Sequence, residues 1–188
     1  VFVDIETTGL SIRENGEIDY DLHEILEIAI VDEDGTVLLD TKIKPIQIGT
    51  ANERALAING YNAYDWAKAP LLKDVAPEIV KHLTDVIIVG HNVGTFDYPR
   101  IKHWCSKYTK TQRMSFHMID TMTLVAEHLV PLGCKSMALK KACEFVGIEY
   151  KDGHRALVDA EACRKLHGTL LSASKLSKLW WRLKNRGS

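Results

Sequence analysis

Asp4, Glu6, Asp97, His154 and Asp159 are the residues whose types and surroundings suggest chemistry. Asp4 and Glu6 interrupt the apolar run Phe2-Val3-Asp4-Ile5-Glu6, which reads as a strand closed by Thr7-Thr8-Gly9. Residues i and i+2 of a strand point to one face. Two carboxylates on one face are costly to bury unpaired, and no Lys or Arg lies near them in sequence. Divalent cations with a preference for oxygen, Mg²⁺ or Mn²⁺, would balance them. Two surface carboxylates on an edge strand would leave the same pattern.

The stretch Gly90-His91-Asn92-Val93-Gly94-Thr95-Phe96-Asp97 directly follows the apolar Val86-Ile87-Ile88-Val89. Sites in α/β proteins collect at strand ends. Asp97 opens the next helix, where a carboxylate also serves as a cap and an N-terminal charge. His154 precedes Asp159 by five residues. Five helical residues turn through ~500°, so the two would not share a helix face. Asp159 is therefore placed in the first turns of a helix, and His154 on the loop that feeds it. A loop histidine titrates near neutrality and suits a general base. An ordinary surface histidine would look the same.

The elements that must position these residues follow from periodicity. Residues 2–6, 25–31 and 36–43 read as strands, the last two joined by Asp34-Gly35, a hairpin signal. Residues 11–23 form a polar stretch carrying Glu14, Glu17, Asp19 and Asp21, expected to be a mobile loop. Short apolar runs at 86–89 and 118–119 suit buried strands. Helices are expected over 52–58, 71–83, 97–107, 121–129, 136–145, 156–171 and 175–183. Ser136 is the expected N-cap of its helix and Gly147 the residue that stops it. The result is an α/β domain with a mixed five-stranded sheet, its first three strands antiparallel, flanked by helices.

Composition sets bounds. The 188 residues suit one domain with a full core. No apolar run approaches the ~20 residues of a membrane span, and no secretory signal opens the chain. Cys105, Cys134, Cys143 and Cys163 lack C-x-x-C spacing, which argues against zinc and a disulfide framework. They read as reduced core thiols of a cytoplasmic or nucleoid- or nucleus-associated protein, not a secreted one. The net charge of −1 does not announce a nucleic-acid binder, but its distribution is uneven. Residues 1–40 hold twelve acids against Arg13 alone, whereas 98–119 hold Arg100, Lys102, Lys107, Lys110 and Arg113 and no acid. An acidic pole beside basic stretches suits metal binding next to phosphate contact. The start at Val1 without Met implies a few preceding residues, and Gly187-Ser188 reads as a remnant of expression.

Together the clusters resemble the DEDDh exonucleases of the DnaQ-like family, in the ribonuclease H-like superfamily. Asp4-Ile5-Glu6-Thr7-Thr8-Gly9-Leu10 resembles the first motif, and His154-x4-Asp159-Ala160 the third. Glu24–Ala29, Ile119-Asp120-Thr121 and Ser136–Ile148 resemble the segments between them. There are three departures. His91 to Asp97 is one residue longer than the family's second motif, a difference that Gly94 is expected to absorb. Asn59 stands where the family has His, and the loop over 11–23 is longer and more acidic.

The resemblance implies a 3′→5′ exonuclease that releases 5′-mononucleotides from DNA or RNA with two Mg²⁺ or Mn²⁺. Asp4 would bridge the ions. Glu6 and Asp159 would complete the water-activating one and Asp97 would hold the second. His154 would accept the proton of the attacking water. Thr7, Thr8, Gly9, Leu10, His91, Asn92 and Phe96 would meet the terminal nucleotide, with Leu10 as an apolar wedge. Arg100 and Lys102 would follow the phosphates. Residues 1–172 would form the exonuclease domain. Residues 173–188 would be a basic helix packed on it or extending from it. The partner would be single-stranded nucleic acid or a duplex 3′ end, and no membrane. Trp180 and Trp181 would either cap the core or dock a partner protein or fused module, as in a proofreading or repair assembly. A binding module that had lost catalysis would lack at least one of the five chemical residues.

Overall fold

β1 (Phe2–Thr7) runs through the middle of a five-stranded sheet of order β3-β2-β1-β4-β5, in a computed structural model that describes residues 1–13, 15–151 and 153–185. Glu14 of the acidic loop and Gly187-Ser188 lie outside the described residues. β2 (Ile25–Val31) pairs antiparallel with both β1 and β3 (Val37–Lys42). β4 (Ile88–Gly90) and β5 (Met118–Asp120) complete the sheet in parallel. This is the expected mixed sheet with its first three strands antiparallel. The hairpin between β2 and β3 closes over Glu33-Asp34-Gly35, with Gly35 at φ 91°. That left-handed conformation favours glycine.

The alternation of β1 sets the layers. Val3 and Ile5 face one core, built with α3 (Leu72–His82) and α4 (Asp97–Ser106). Phe2 faces the other, built with α5 (Thr121–His128), α6 (Leu139–Val146) and α7 (Ala156–Leu171). Asp4 and Glu6 share Phe2's face, and α7 packs across β1 and β2 on that side. α1 (Glu53–Ile58) and α2 (Ala63–Ala67) precede α3, and α2 has no counterpart among the expected helices. α8 (Lys175–Lys184) closes the chain with Trp181 buried in the second core.

Several local expectations shift. α6 begins at Leu139, and Ser136 does not cap it; the Ser136 hydroxyl accepts from the Ala138 N–H in the turn ahead of the helix. Gly147 does end α6, at φ 86°. β4 starts at Ile88, because its ladder to β5 begins there and Ile87 is exposed; its pairing with β1 is at Val89. The described part of the 11–23 loop is pinned to the body and does not hang free. Asp21 pairs with His103 on α4 and with Lys107 just past its end, and the Ser11 N–H donates to His23 Nδ1 at 2.8 Å. All four cysteines are buried and unpaired. Among the described residues no helix is long and apolar enough to cross a membrane.

Candidate active site

Asp4, Glu6, Asp97, His154 and Asp159 line one cleft of about 300 Å³, although they lie on three separate segments. β1 presents Asp4 and Glu6 side by side. Asp97 arrives from the first turn of α4, and its Oδ1 accepts the Ile5 N–H at 3.1 Å. That bond locks the start of α4 onto β1, between the two strand carboxylates. Asp159 is the fourth residue of α7. His154 lies on the loop before α7 with φ 67°, and its N–H donates to Asp159 Oδ2 at 3.2 Å. Ligand atoms of Glu6, His154 and Asp159 lie within 4.8 Å of one another.

The electrostatics fit a site that attracts positive charge. Burial, and then repulsion from Asp97, Asp159, Glu6 and Glu27, raises the Asp4 carboxyl well above the usual range. Burial, and then the charges of Asp159 and Glu27, pushes Glu6 up to about 8. Burial pushes Asp97 up to about 7, against the Ile5 hydrogen bond. Burial raises Asp159 as well, opposed by the hydrogen bond from Tyr150. Besides Arg100, whose charge acts on Asp97, a cation reaches this region from far along the chain. Arg155 Nε donates to both oxygens of buried Glu27, which stands opposite Glu6 in the sheet. It compensates Glu27 and leaves four clustered carboxylates. That all-oxygen set, with one imidazole at its edge, suits hard divalent cations.

A stability test follows from these shifts. Carboxyls with raised folded-state pKa values stabilise the protein while protonated, and that contribution is lost as pH rises through the folded values. A bound divalent cation favours the ionised forms and removes the penalty. The rise in melting temperature on adding Mg²⁺ is therefore expected to be larger at pH 8.5 than at pH 6.5. Thermal melts in Mg²⁺ and in EDTA at both values measure it. An equal rise at both would mean that the cation does not meet these carboxyls.

The surrounding residues divide into two groups. Thr7, Gly9, Leu10, His91 and Phe96 line the cleft with the acids, and so does Asn59. Leu10 is 62% exposed, which removes core packing as its role. Asn59 is buried and donates to the Thr7 carbonyl at 2.8 Å, bracing the end of β1. His91 has both ring nitrogens engaged, with Thr121 Oγ1 at 3.0 Å and the Met137 carbonyl at 2.8 Å.

Thr8, Asn92, Arg100 and Lys102 do not line the cleft. Thr8 is fully buried, and its hydroxyl accepts the Glu24 N–H. Asn92, not Gly94, takes a left-handed conformation in this turn: it adopts φ 67°, and its carbonyl accepts from Thr95 and Phe96. Asn tolerates that conformation better than most residues. Arg100 is buried, not spread along a surface. Its guanidinium packs 3.9 Å from the Phe96 ring centroid and donates to the carbonyls of Phe96 and Leu10. It joins the two apolar walls of the cleft from behind, a task its place in a basic stretch does not suggest. Lys102 is exposed, with Nζ 5.7 Å from the Tyr98 ring centroid. Tyr150 goes unnoticed in the sequence, yet its hydroxyl donates to Asp159 Oδ1 at 2.6 Å.

The mixed sheet of order β3-β2-β1-β4-β5 with helices on both faces is the ribonuclease H-like fold, here with four acids gathered at the central β1. The chain belongs to the RNase_T family of exonucleases, whose model matches residues 1–167. It is similar to DNA polymerase III subunit epsilon of Aquifex aeolicus, 27% identical over 184 residues, which are 97% of this chain and 82% of that protein. It is also 30% identical over 178 residues to the 3′-5′ exonuclease DinG of Staphylococcus aureus (strain USA300), covering 94% of this chain and 18% of DinG. The structure of E. coli Exonuclease I in complex with a dA16 oligonucleotide superimposes with a TM-score of 0.76 at 18% identity, over 95% of this chain and 42% of that one. The chain thus spans most of the epsilon subunit but less than half of Exonuclease I and under a fifth of DinG.

Proposed function

We propose that this chain removes nucleotides from the 3′ ends of DNA or RNA, releasing 5′-mononucleotides, with two Mg²⁺ or Mn²⁺ held by Asp4, Glu6, Asp97 and Asp159. The observation that carries this reading is the convergence of these four carboxylates and His154 on one cleft. When bound, the cations neutralise charge on the phosphate and lower the barrier to attack by water. The chain's own residues do the rest. The carboxylates fix where the cations sit. His154 accepts the proton of the attacking water. Exposed Leu10 and the edge of Phe96 pack against the terminal bases, and Gly9 permits close approach of backbone to nucleotide.

Single-stranded nucleic acid, or the frayed 3′ end of a duplex, is the substrate that an open cleft with apolar walls would admit. The oligonucleotide held by Exonuclease I and the named direction of DinG support this choice. An exonuclease of this kind belongs in the cytoplasm or with the chromosome, in proofreading or repair. Trp181 serves the core, so a partner protein or fused module would meet the exposed Trp180 side of α8.

Labelled ladders test the proposal. DNA and RNA oligonucleotides carrying a 5′ label are incubated with Mg²⁺, Mn²⁺ or EDTA, with and without a phosphorothioate at the last 3′ linkage. Stepwise shortening is expected with either metal, and none in EDTA. The 3′ phosphorothioate should protect, and one at the 5′ end should not. Degradation in EDTA, or protection only from the 5′ end, would overturn it.

A further inference from the structure

Tyr150 lies between α6 and α7, partly buried against the second core. Its hydroxyl donates to Asp159 Oδ1 at 2.6 Å, while the His154 N–H donates to Oδ2 at 3.2 Å. The short segment ahead of α7 thus supplies a donor to each oxygen of one carboxylate. A carboxylate has about four acceptor positions, so each oxygen keeps capacity for a further ligand. The phenol is held from the other side by Gly153. A Cβ built there would overlap the Tyr150 hydroxyl and ring, so the backbone of residue 153 and the phenol occupy adjoining space that no side chain can share. His154 follows at φ 67°, a left-handed conformation that is unfavourable for a non-glycine residue. The segment adopts it while its own N–H bonds to Asp159.

We propose that Tyr150 is a positioning residue, whose hydroxyl sets the Asp159 carboxylate in the orientation that receives a divalent cation, with Gly153 keeping the phenol in place. The proposal rests on the nuclease reading of the cleft. α7 fixes the Asp159 backbone but leaves its side-chain torsions free. A second donor on the opposite oxygen from the His154 N–H removes that freedom before a cation arrives. The same two bonds tie the His154 loop to the carboxylate, so cation site and base are set together.

Tyr150→Phe keeps the ring and removes only the hydroxyl. Binding of Mn²⁺ to the nucleic-acid-free protein is measured by calorimetry. Turnover of a 5′-labelled oligonucleotide is followed across an Mn²⁺ titration. Mn²⁺ affinity is expected to fall about tenfold, at the lower end of the 10–100-fold typical when a partner of a metal ligand is removed. Turnover at limiting Mn²⁺ should fall by a similar factor and recover at high Mn²⁺, with KM for the oligonucleotide unchanged. Gly153→Ala, which retains the hydroxyl but displaces it, should reproduce the weakened Mn²⁺ binding.

Wild-type Mn²⁺ affinity in Tyr150→Phe would overturn the proposal, whether or not the melting temperature falls. So would wild-type affinity in Gly153→Ala, which decides the matter if Tyr150→Phe does not fold. Failure of the nuclease reading looks different: the unaltered protein would then bind no Mn²⁺ in the cleft and cut nothing.

Discussion

Asp4→Ala is expected to lose at least ~10³-fold in turnover while remaining folded, a loss of about 4 kcal/mol of transition-state stabilisation. Asp4 stands at the centre of the acidic cluster: after burial, repulsion from Asp97, Asp159 and Glu6 raises its pKa. Removing it takes away a carboxylate shared by the proposed cation sites, and the other three do not replace it. The effect on stability should have the opposite sign. Without cations, four clustered carboxylates repel one another, and deleting one relieves the remainder. In EDTA at pH 8.5 the variant should melt at or above the temperature of the unaltered protein. Single-turnover rates and thermal melts on the same samples check both halves. Retained turnover would show that the acids of β1 are not at the reacting centre.

His154→Ala is expected to cost about 10²–10⁴-fold, the usual worth of a general base. The variant retains all four carboxylates, so binding of oligonucleotide and Mn²⁺ should persist. A smaller effect on Mn²⁺ would reflect the closeness of His154 to Glu6 and Asp159. A base must be neutral to accept a proton. The rate of the unaltered protein should therefore rise with pH and level off, while the residual rate of the variant climbs without a plateau. pH–rate profiles at saturating Mn²⁺ measure this. The variant also separates side chain from backbone, since the N–H of residue 154 still donates to Asp159. Wild-type turnover with an unchanged profile would leave His154 as a surface histidine and require another base.

Much of the framework was legible along the chain because it depends on neighbours in sequence. Alternation placed Asp4 and Glu6 on one face of a strand, and the structure puts them on the α7 side of β1. Apolar periodicity gave β2 and α7 the same bounds as the structure, and Gly147 marked the end of α6. Spacing placed His154 on a loop and Asp159 in the first helical turns. These are local rules of 2.0 and 3.6 residues, and burial on one face enforces them.

Tertiary structure alone decided what the remaining polar groups do. Arg100 belongs to a stretch that looks like a phosphate track, yet it is buried, because the carbonyls of Leu10 and Phe96 and the Phe96 ring meet its guanidinium there. Thr8 sits inside a recognisable motif, but the strand crossing beside it turns its hydroxyl to Glu24. Asn92 rather than Gly94 took the left-handed turn, with its N–H held by Asp120 from 28 residues away. The Glu27–Arg155 pair spans 128 residues, and Tyr150, nine residues before Asp159, reaches it only through the irregular segment ahead of α7. A one-dimensional pattern records which face a residue occupies, but not which distant donor arrives there. Buried polar groups must find such donors, so their roles are settled by the packing of elements that the sequence places far apart.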